Sequence, residues 1–562
     1  MSWSDGGRVV EDKMLNAVLE QESFVAAFTG ERQTKKRVRP PKTDQSRPGN
    51  SIAAGHDCLY EQSYPVLLNA TLGRLMAAAG VGYTAINVAM GNTRVVPYSY
   101  CVDAHAGLDA DVISWSFGME IATAPCDKAA AAVELFIRSS LVLPRQPAVL
   151  IMDAQANQGT KAPPSIISKR NKRFLGDCAG PHGERDLMEV YRDSGLHNMF
   201  ASYLVLEHAK EDVRFSQEEL YKAGKHYPRP MSWHPGPGGH ALVADMLFMH
   251  YGRVLLGALD RLEAAAPGLS AAQLREKKQQ PQAGDDAAAA AAAAPPGSSM
   301  TMPMLREAVG LGGGNKNVSI VFTTDSQRRR NEGGGEQLPP EEECAYMGAG
   351  RGRGVLPTPE WCLNPHCRGA GNYRCANTYY PLAGDKGSRL LDMIVPREGH
   401  GGSGEGYLLN GHGKELLVEP AEGRWAVTLN EVSAPAINYM RTGEAPEGFH
   451  KPIDAKWVLV GDKSSGPIEF EFVTAGAEAA DSRVVVCRPD FIARVEFEDP
   501  GGVRFSIDGV VTSVVPAESD GISTKSCSVL TAGIAPGRHR LTVEPLRRGE
   551  PFVAISHVIY PA

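Results

Sequence analysis

Gly49-Asn50-Ser51-Ile52-Ala53-Ala54-Gly55 places a serine in a turn of small residues, where the hydroxyl can be presented with its own amide free. It is answered much later by Trp233-His234-Pro235-Gly236-Pro237-Gly238-Gly239-His240, which sets two histidines just ahead of an amphipathic segment. A serine hydroxyl is a poor nucleophile until a neighbouring base accepts its proton, so serine hydrolysis needs both parts. Each stretch also has a plainer reading: Gly-Asn-Ser suits an ordinary turn, and Trp-His-Pro suits a packed corner.

Between these stretches short apolar runs alternate with helical patterns, as an α/β domain with a parallel sheet requires. Strands are expected at 84–88, 111–115 and 148–152, and helices at 64–79, 128–140 and 239–262. In the last helix Leu242, Met246, Met249 and Leu255 recur at helical spacing. The expected domains are an irregular segment over 1–48, the α/β domain over 49–262, a low-complexity linker over 263–345, and a β-rich sandwich over 346–562. The linker is rich in Ala, Gly, Pro and Gln, including the run Ala287 to Ala294, with a lone strand pattern at 318–322. In the last block, short strand patterns at 425–429, 457–460, 468–473, 484–486, 493–497 and 539–543 are separated by Gly, Asp and Pro turns.

The 562 residues exceed one ordinary domain, and 43% apolar residues suffice for sizeable cores. A net charge of −7 argues against a nucleic-acid partner. No stretch reads as a membrane span or a secretory leader. The ten cysteines fall four before residue 180 and six after residue 340, even numbers that suit an oxidising compartment and leave the connectivity of any disulfides open. With Asn69-Ala70-Thr71 and Asn317-Val318-Ser319 as glycan acceptor triplets, they favour a secretory or extracellular setting. Cys362, Cys367 and Cys375 with His366 lack paired zinc-ligand spacing, so disulfides among these cysteines, with Cys344, Cys487 and Cys527 involved as well, are the better expectation. Trp361, Tyr373, Tyr379, Tyr380 and Trp425 offer faces for sugar rings, or fill the sandwich core.

The α/β block carries in order Gly49-Asn50-Ser51, Asn87-Val88-Ala89-Met90-Gly91-Asn92, Asp109-Ala110-Asp111-Val112-Ile113-Ser114-Trp115 and His234-Pro235. Over about residues 49 to 260 this series resembles the SGNH (GDSL-type) hydrolase superfamily, and most of all a divergent algal and protist branch. The resemblance implies a three-layer α/β/α fold and an esterase, with Ser51 as nucleophile and His234 as general base. It further implies an oxyanion pocket from the amides of Ser51 and Gly91 with the Asn92 side chain, and no metal or organic cofactor. The implied substrate is a small ester or an O-acyl (acetyl) glycan, with the β-rich domain aiding carbohydrate contact; His240 is expected to be structural.

Four features depart from the family pattern. Asn50 stands where the family has Asp, and Met231 stands three residues before His234 where the orienting carboxylate belongs. Asp193, Asp245 or Glu120 would have to replace that carboxylate. Phe117-Gly118-Met119-Glu120 lacks the usual amide donor, and the Pro-rich residues 41–48 occupy the place of the first strand. These losses leave open a non-catalytic hydrolase-fold protein that only binds its ligand.

Overall fold

The computed structural model describes residues 10–15, 23–30, 53, 55, 58–78, 81–87, 89, 95–106, 110–116, 126–153, 190–191, 194–200, 235–265, 373–378, 390–395, 425–429, 447, 457–461, 465–474, 483–487, 503–515, 527–546 and 553–561. The expected strands at 318–322 and 493–497 lie outside the described residues, as do Trp361, Tyr379 and Tyr380.

Five parallel strands form the sheet of the α/β part: β1 (Ser23–Gly30), β2 (Gly82–Asn87), β3 (Val112–Ser116), β4 (Ala148–Asp153) and β5 (Leu196–Phe200). Their spatial order is β2-β1-β3-β4-β5. The Pro-rich stretch before Gly49 has therefore not cost the sheet its first strand. That strand lies further back, as Ser-Phe-Val-Ala-Ala-Phe-Thr-Gly within the segment expected to be irregular, and it sits between β2 and β3.

Helices cover both faces: residues 10–15 (α1), Tyr64–Ala78 (α2), Val95–Tyr100 (α3), Val102–Ala106 (α4), Cys126–Leu141 (α5) and Pro237–Ala265 (α6). A strand's side chains point alternately to opposite faces, and β4 divides accordingly. Ala148, Leu150 and Met152 join α1, α2 and α6 in one core; Val149 and Ile151 join α3, α4 and α5 in the other. Both faces are buried, so every residue of β3 is buried and β4 reads as a continuous apolar run over Ala148 to Met152. By length and composition α6 could cross a membrane over Pro237–Arg261, but Val243, Leu247, Tyr251, Leu255 and Leu259 are buried in the protein's own core.

At the N-terminal end of β3, buried Asp111 meets Arg145 at 3.2 Å and Lys13 at 3.9 Å, and Lys13 Nζ donates to the carbonyl of Arg145 at 2.6 Å. These contacts tie α1 to the sheet. Burial pushes the Lys13 ammonium's pKa down, Asp111 pulls it up, and Arg145 pushes it down again.

The C-terminal part is antiparallel. One sheet sets Cys527–Ala532 (β13), Arg483–Cys487 (β10), His557–Pro561 (β16) and Tyr373–Asn377 (β6) side by side in that order. A second sets Val510–Val515 (β12), Val503–Ile507 (β11), Gly537–Pro545 (β14) and Ile468–Thr474 (β9) side by side. A third has Val553–Ile555 (β15), Trp457–Gly461 (β8) and Ala426–Leu429 (β7). Phe470, Phe472, Phe505 and Val543 of the second sheet pack on Val484, Val486 and Val558 of the first in one core. Trp425 belongs to that core, only 3% exposed, with its Nε1–H donated to the carbonyl of Gly466. Its ring also lies where a Cβ on Gly461 would stand. It offers no face to a sugar; the core reading wins.

The outer face of the first sheet is covered too. Val485, Cys487, Ile559 and Cys375 pack with Cys101, Tyr100 and Ala104 from the α/β part, and Tyr100 meets Tyr373 edge to face at 5.9 Å. A disulfide joins Cys101 to Cys375 across 274 residues. The bridge takes one cysteine from the α/β part and one from the β-rich part, a connectivity that the sequence leaves open. Cys487 is disulfide-bonded as well.

Candidate active site

In open parallel sheets ligands bind beyond the C-terminal ends of the strands, where the strand order reverses. Here β1 connects to β2 on one side and β2 then crosses to β3 on the other, which puts that reversal between β1 and β3. The connection 31–63 leaves the C-terminal end of β1, 88–94 leaves β2, 117–125 leaves β3, and 201–236 leaves β5.

The described part of the first connection is a tight turn. Gly55 has φ +80°, and a Cβ there would approach Ser63 Cβ to 2.7 Å, so the position demands glycine on both counts. The Cys58 amide closes the turn on the Gly55 carbonyl at 3.2 Å. Two side chains then fix it to the rest of the fold. Asn87, the last residue of β2, donates Nδ2–H to the Ala53 carbonyl at 2.7 Å and accepts the Ala89 amide at 3.2 Å. Using both ends of the amide sets its orientation and joins the β1 and β2 connections. Cys58, which is buried, directs its thiol to the Pro235 carbonyl at 3.5 Å, joining the turn to the approach to α6.

His240, on the first turn of α6, is fully buried; its Nδ1 accepts the Tyr64 amide at 3.4 Å, and its ring stacks on Tyr64 at 6.0 Å. The nitrogen a base would need is thus committed to starting α2, which is the structural role expected of it. Asn69 is exposed on α2 and accepts the amide of Ala85 on the edge strand β2.

Ser51, His234, Gly91 and Asn92 lie outside the described residues, as do Met231, Asp193 and Glu120. Asp245 is described, exposed on α6. Sequence reasoning missed Asn87 and Cys58 as the clamps on this turn. Asn87 stood in a quoted motif, but only the fold reveals that its partner is Ala53.

No family model matches the chain, and no curated protein matches it. Two solved structures are similar over 98% of this chain and 94% of theirs. One is a two-domain esterase active on acetylated mannans, at 13% identity and TM-score 0.41. The other is such an esterase co-crystallized with mannopentaose, at 12% identity and TM-score 0.40.

Proposed function

We propose that the chain is a serine esterase of SGNH type that removes O-acyl groups, acetyl among them, from a glycan. The observation that supports this best is the turn 53–58, which Asn87 ties to the end of β2 and Cys58 ties to Pro235. Ser51 is two residues from Ala53 and His234 is bonded to Pro235. At about 3.8 Å per Cα step, neither has far to travel from a fixed point of that network. Gly91 and Asn92 belong to the connection that Asn87 opens.

In this reading Ser51 Oγ attacks the ester carbonyl as His234 accepts its proton. The amides of Ser51 and Gly91, with Asn92, hold the developing oxyanion; such a donor contributes about 3 kcal/mol. The alkoxide leaves with the proton from His234, and water activated by the same imidazole releases the acid. The chemistry calls on no metal or organic cofactor.

The second reading, a hydrolase fold that binds without turnover, draws on Met231 in place of the orienting carboxylate. Removing that carboxylate from a serine protease costs about 10⁴-fold in kcat. Hydrolysis of a short-chain aryl ester and of an acetylated mannan by the purified full chain separates the two. The enzyme reading expects turnover that Ser51→Ala lowers at least about 10³-fold. Folded protein with no turnover, or turnover unchanged in Ser51→Ala, overturns it.

A further inference from the structure

The interface between the two parts holds a second cluster of chemical groups, remote in sequence from Ser51 and His234. Cys101 Sγ, Cys375 Sγ and a ring nitrogen of His557 all lie within 4.8 Å of one another, and all three residues are buried. Cys101 precedes α4, and His105 follows it at i+4 with its amide on the Cys101 carbonyl at 3.0 Å, so the two share a helical face. Cys375 and His557 come from the adjacent strands β6 and β16, where Ile559 is the register partner of Cys375 and Asn377 that of His557. The rings of His105 and His557 stand 5.7 Å apart.

We propose that this cluster is a redox-gated metal site: when the Cys101–Cys375 disulfide is reduced, Cys101, Cys375 and His557 bind a soft divalent cation such as Zn²⁺, with His105 completing four ligands. Two thiolates and two imidazoles are a donor set that zinc prefers, with Zn–S near 2.3 Å and Zn–N near 2.0–2.1 Å. Tetrahedral ligands at those lengths stand about 3.3 to 3.8 Å apart. The three atoms are already held inside a 4.8 Å envelope, so the sulfurs separate modestly and the His105 ring turns inward.

The surroundings favour the same outcome. Ser556 Oγ donates to the Cys487 carbonyl at 3.1 Å and so accepts from His557 Nδ1–H at 2.9 Å. That chain of hydrogen bonds orients the His557 ring and leaves its lone pair on Nε2, as the outer partners of a metal-ligating imidazole do. An apolar shell of Val485, Ile559 and Tyr100 disfavours bare thiolates, whose charge a cation would offset.

The step balances. A dithiol or phosphine reductant supplies two electrons, and two protons join them to open the S–S bond to two thiols. Zn²⁺ then displaces both thiol protons to solvent as the two S–Zn bonds form. The sequence could not reveal the set, since its ligands are Cys101, His105, Cys375 and His557, with no short motif joining the two halves.

The test uses the full chain, reduced with a phosphine under anaerobic conditions and titrated with Co²⁺ as a spectroscopic probe. Thiolate-to-cobalt charge-transfer absorption should saturate with one equivalent more in the wild type than in Cys101→Ser or His557→Gln, and the oxidised protein should lack that equivalent. Equal stoichiometry and spectra in reduced wild type and His557→Gln overturn the proposal. Should the variants not fold, zinc-edge X-ray absorption on reduced wild type decides: a shell of two sulfurs with one or two nitrogens supports the site, and an all-oxygen or all-sulfur shell overturns it.

Discussion

The two large sheets of the C-terminal part differ in what covers their second face. In the sheet containing β9, β11 and β14 one face is core and the other meets water, so burial alternates along each strand. The wet face carries Arg504–Glu544 at 2.7 Å, Arg538–Glu471 at 2.7 Å and Arg540–Glu469 at 3.3 Å. In the sheet containing β10 and β16 both faces are covered, one by the sandwich core and the other by α3 and α4. Those strands read Arg-Val-Val-Val-Cys and His-Val-Ile-Tyr-Pro, with almost every position buried. A run without alternation in an antiparallel sheet thus records a second layer, here the α/β part itself.

The sharpest way to break this contrast is to place one charge on each sheet. Val485→Asp buries a carboxylate against α3 and α4 and should cost about 4 kcal/mol or more. Val511→Asp, at a site 54% exposed, should stay within about 0.5 kcal/mol of wild type. Urea unfolding of both variants measures the difference; similar values would mean that the outer face of β10 is not covered.

Acid should act on doubly covered strands before it acts on the wet face. In the parallel sheet, burial lowers His197 of β5 to about 4, and holds His250 of α6, stacked on it at 5.5 Å, well below its usual value. The unfolded chain takes up these protons near pH 6.5 while the folded chain does not, so stability is full above that pH and falls towards pH 4. Each such histidine contributes a slope of up to about 1.4 kcal/mol per pH unit. In His197→Gln, unfolding measured between pH 6 and pH 4 should show a slope shallower by about that amount; an unchanged slope would remove His197 from the buried neutral set.

The smallest effect belongs to the ion pairs. Arg540→Ala should change stability by no more than about 0.5 kcal/mol, because exposed pairs gain little over water. A larger loss in the same urea experiment would show that the wet face contributes more than its exposure implies.

Much of this architecture is legible in residue patterns. β2, β3, β4, α2, α5 and α6 stand close to where periodicity puts them, because their apolar positions must meet a core. β1 escapes that reading although Phe24-Val25-Ala26-Ala27-Phe28 is an apolar run, because the family pattern has its first strand directly before the serine turn, whereas here residues 31–48 separate β1 from Gly49. β16 is likewise absent from the expected strands, as are β5, β6, β11, β12, β13 and β15. The clamps Asn87 and Cys58 and the bridge Cys101–Cys375 join residues distant in sequence, and such partners are set only by topology. The residues of the candidate site are readable as types, whereas which connections come together is something no local pattern specifies.

The most direct test of the central claim is to react the full chain with a fluorophosphonate and map the adduct by peptide mass spectrometry. The account predicts one phosphonylated residue, Ser51, with labelling lost in Ser51→Ala and strongly slowed in His234→Ala. An adduct on a different serine, or labelling indifferent to His234→Ala, would contradict it.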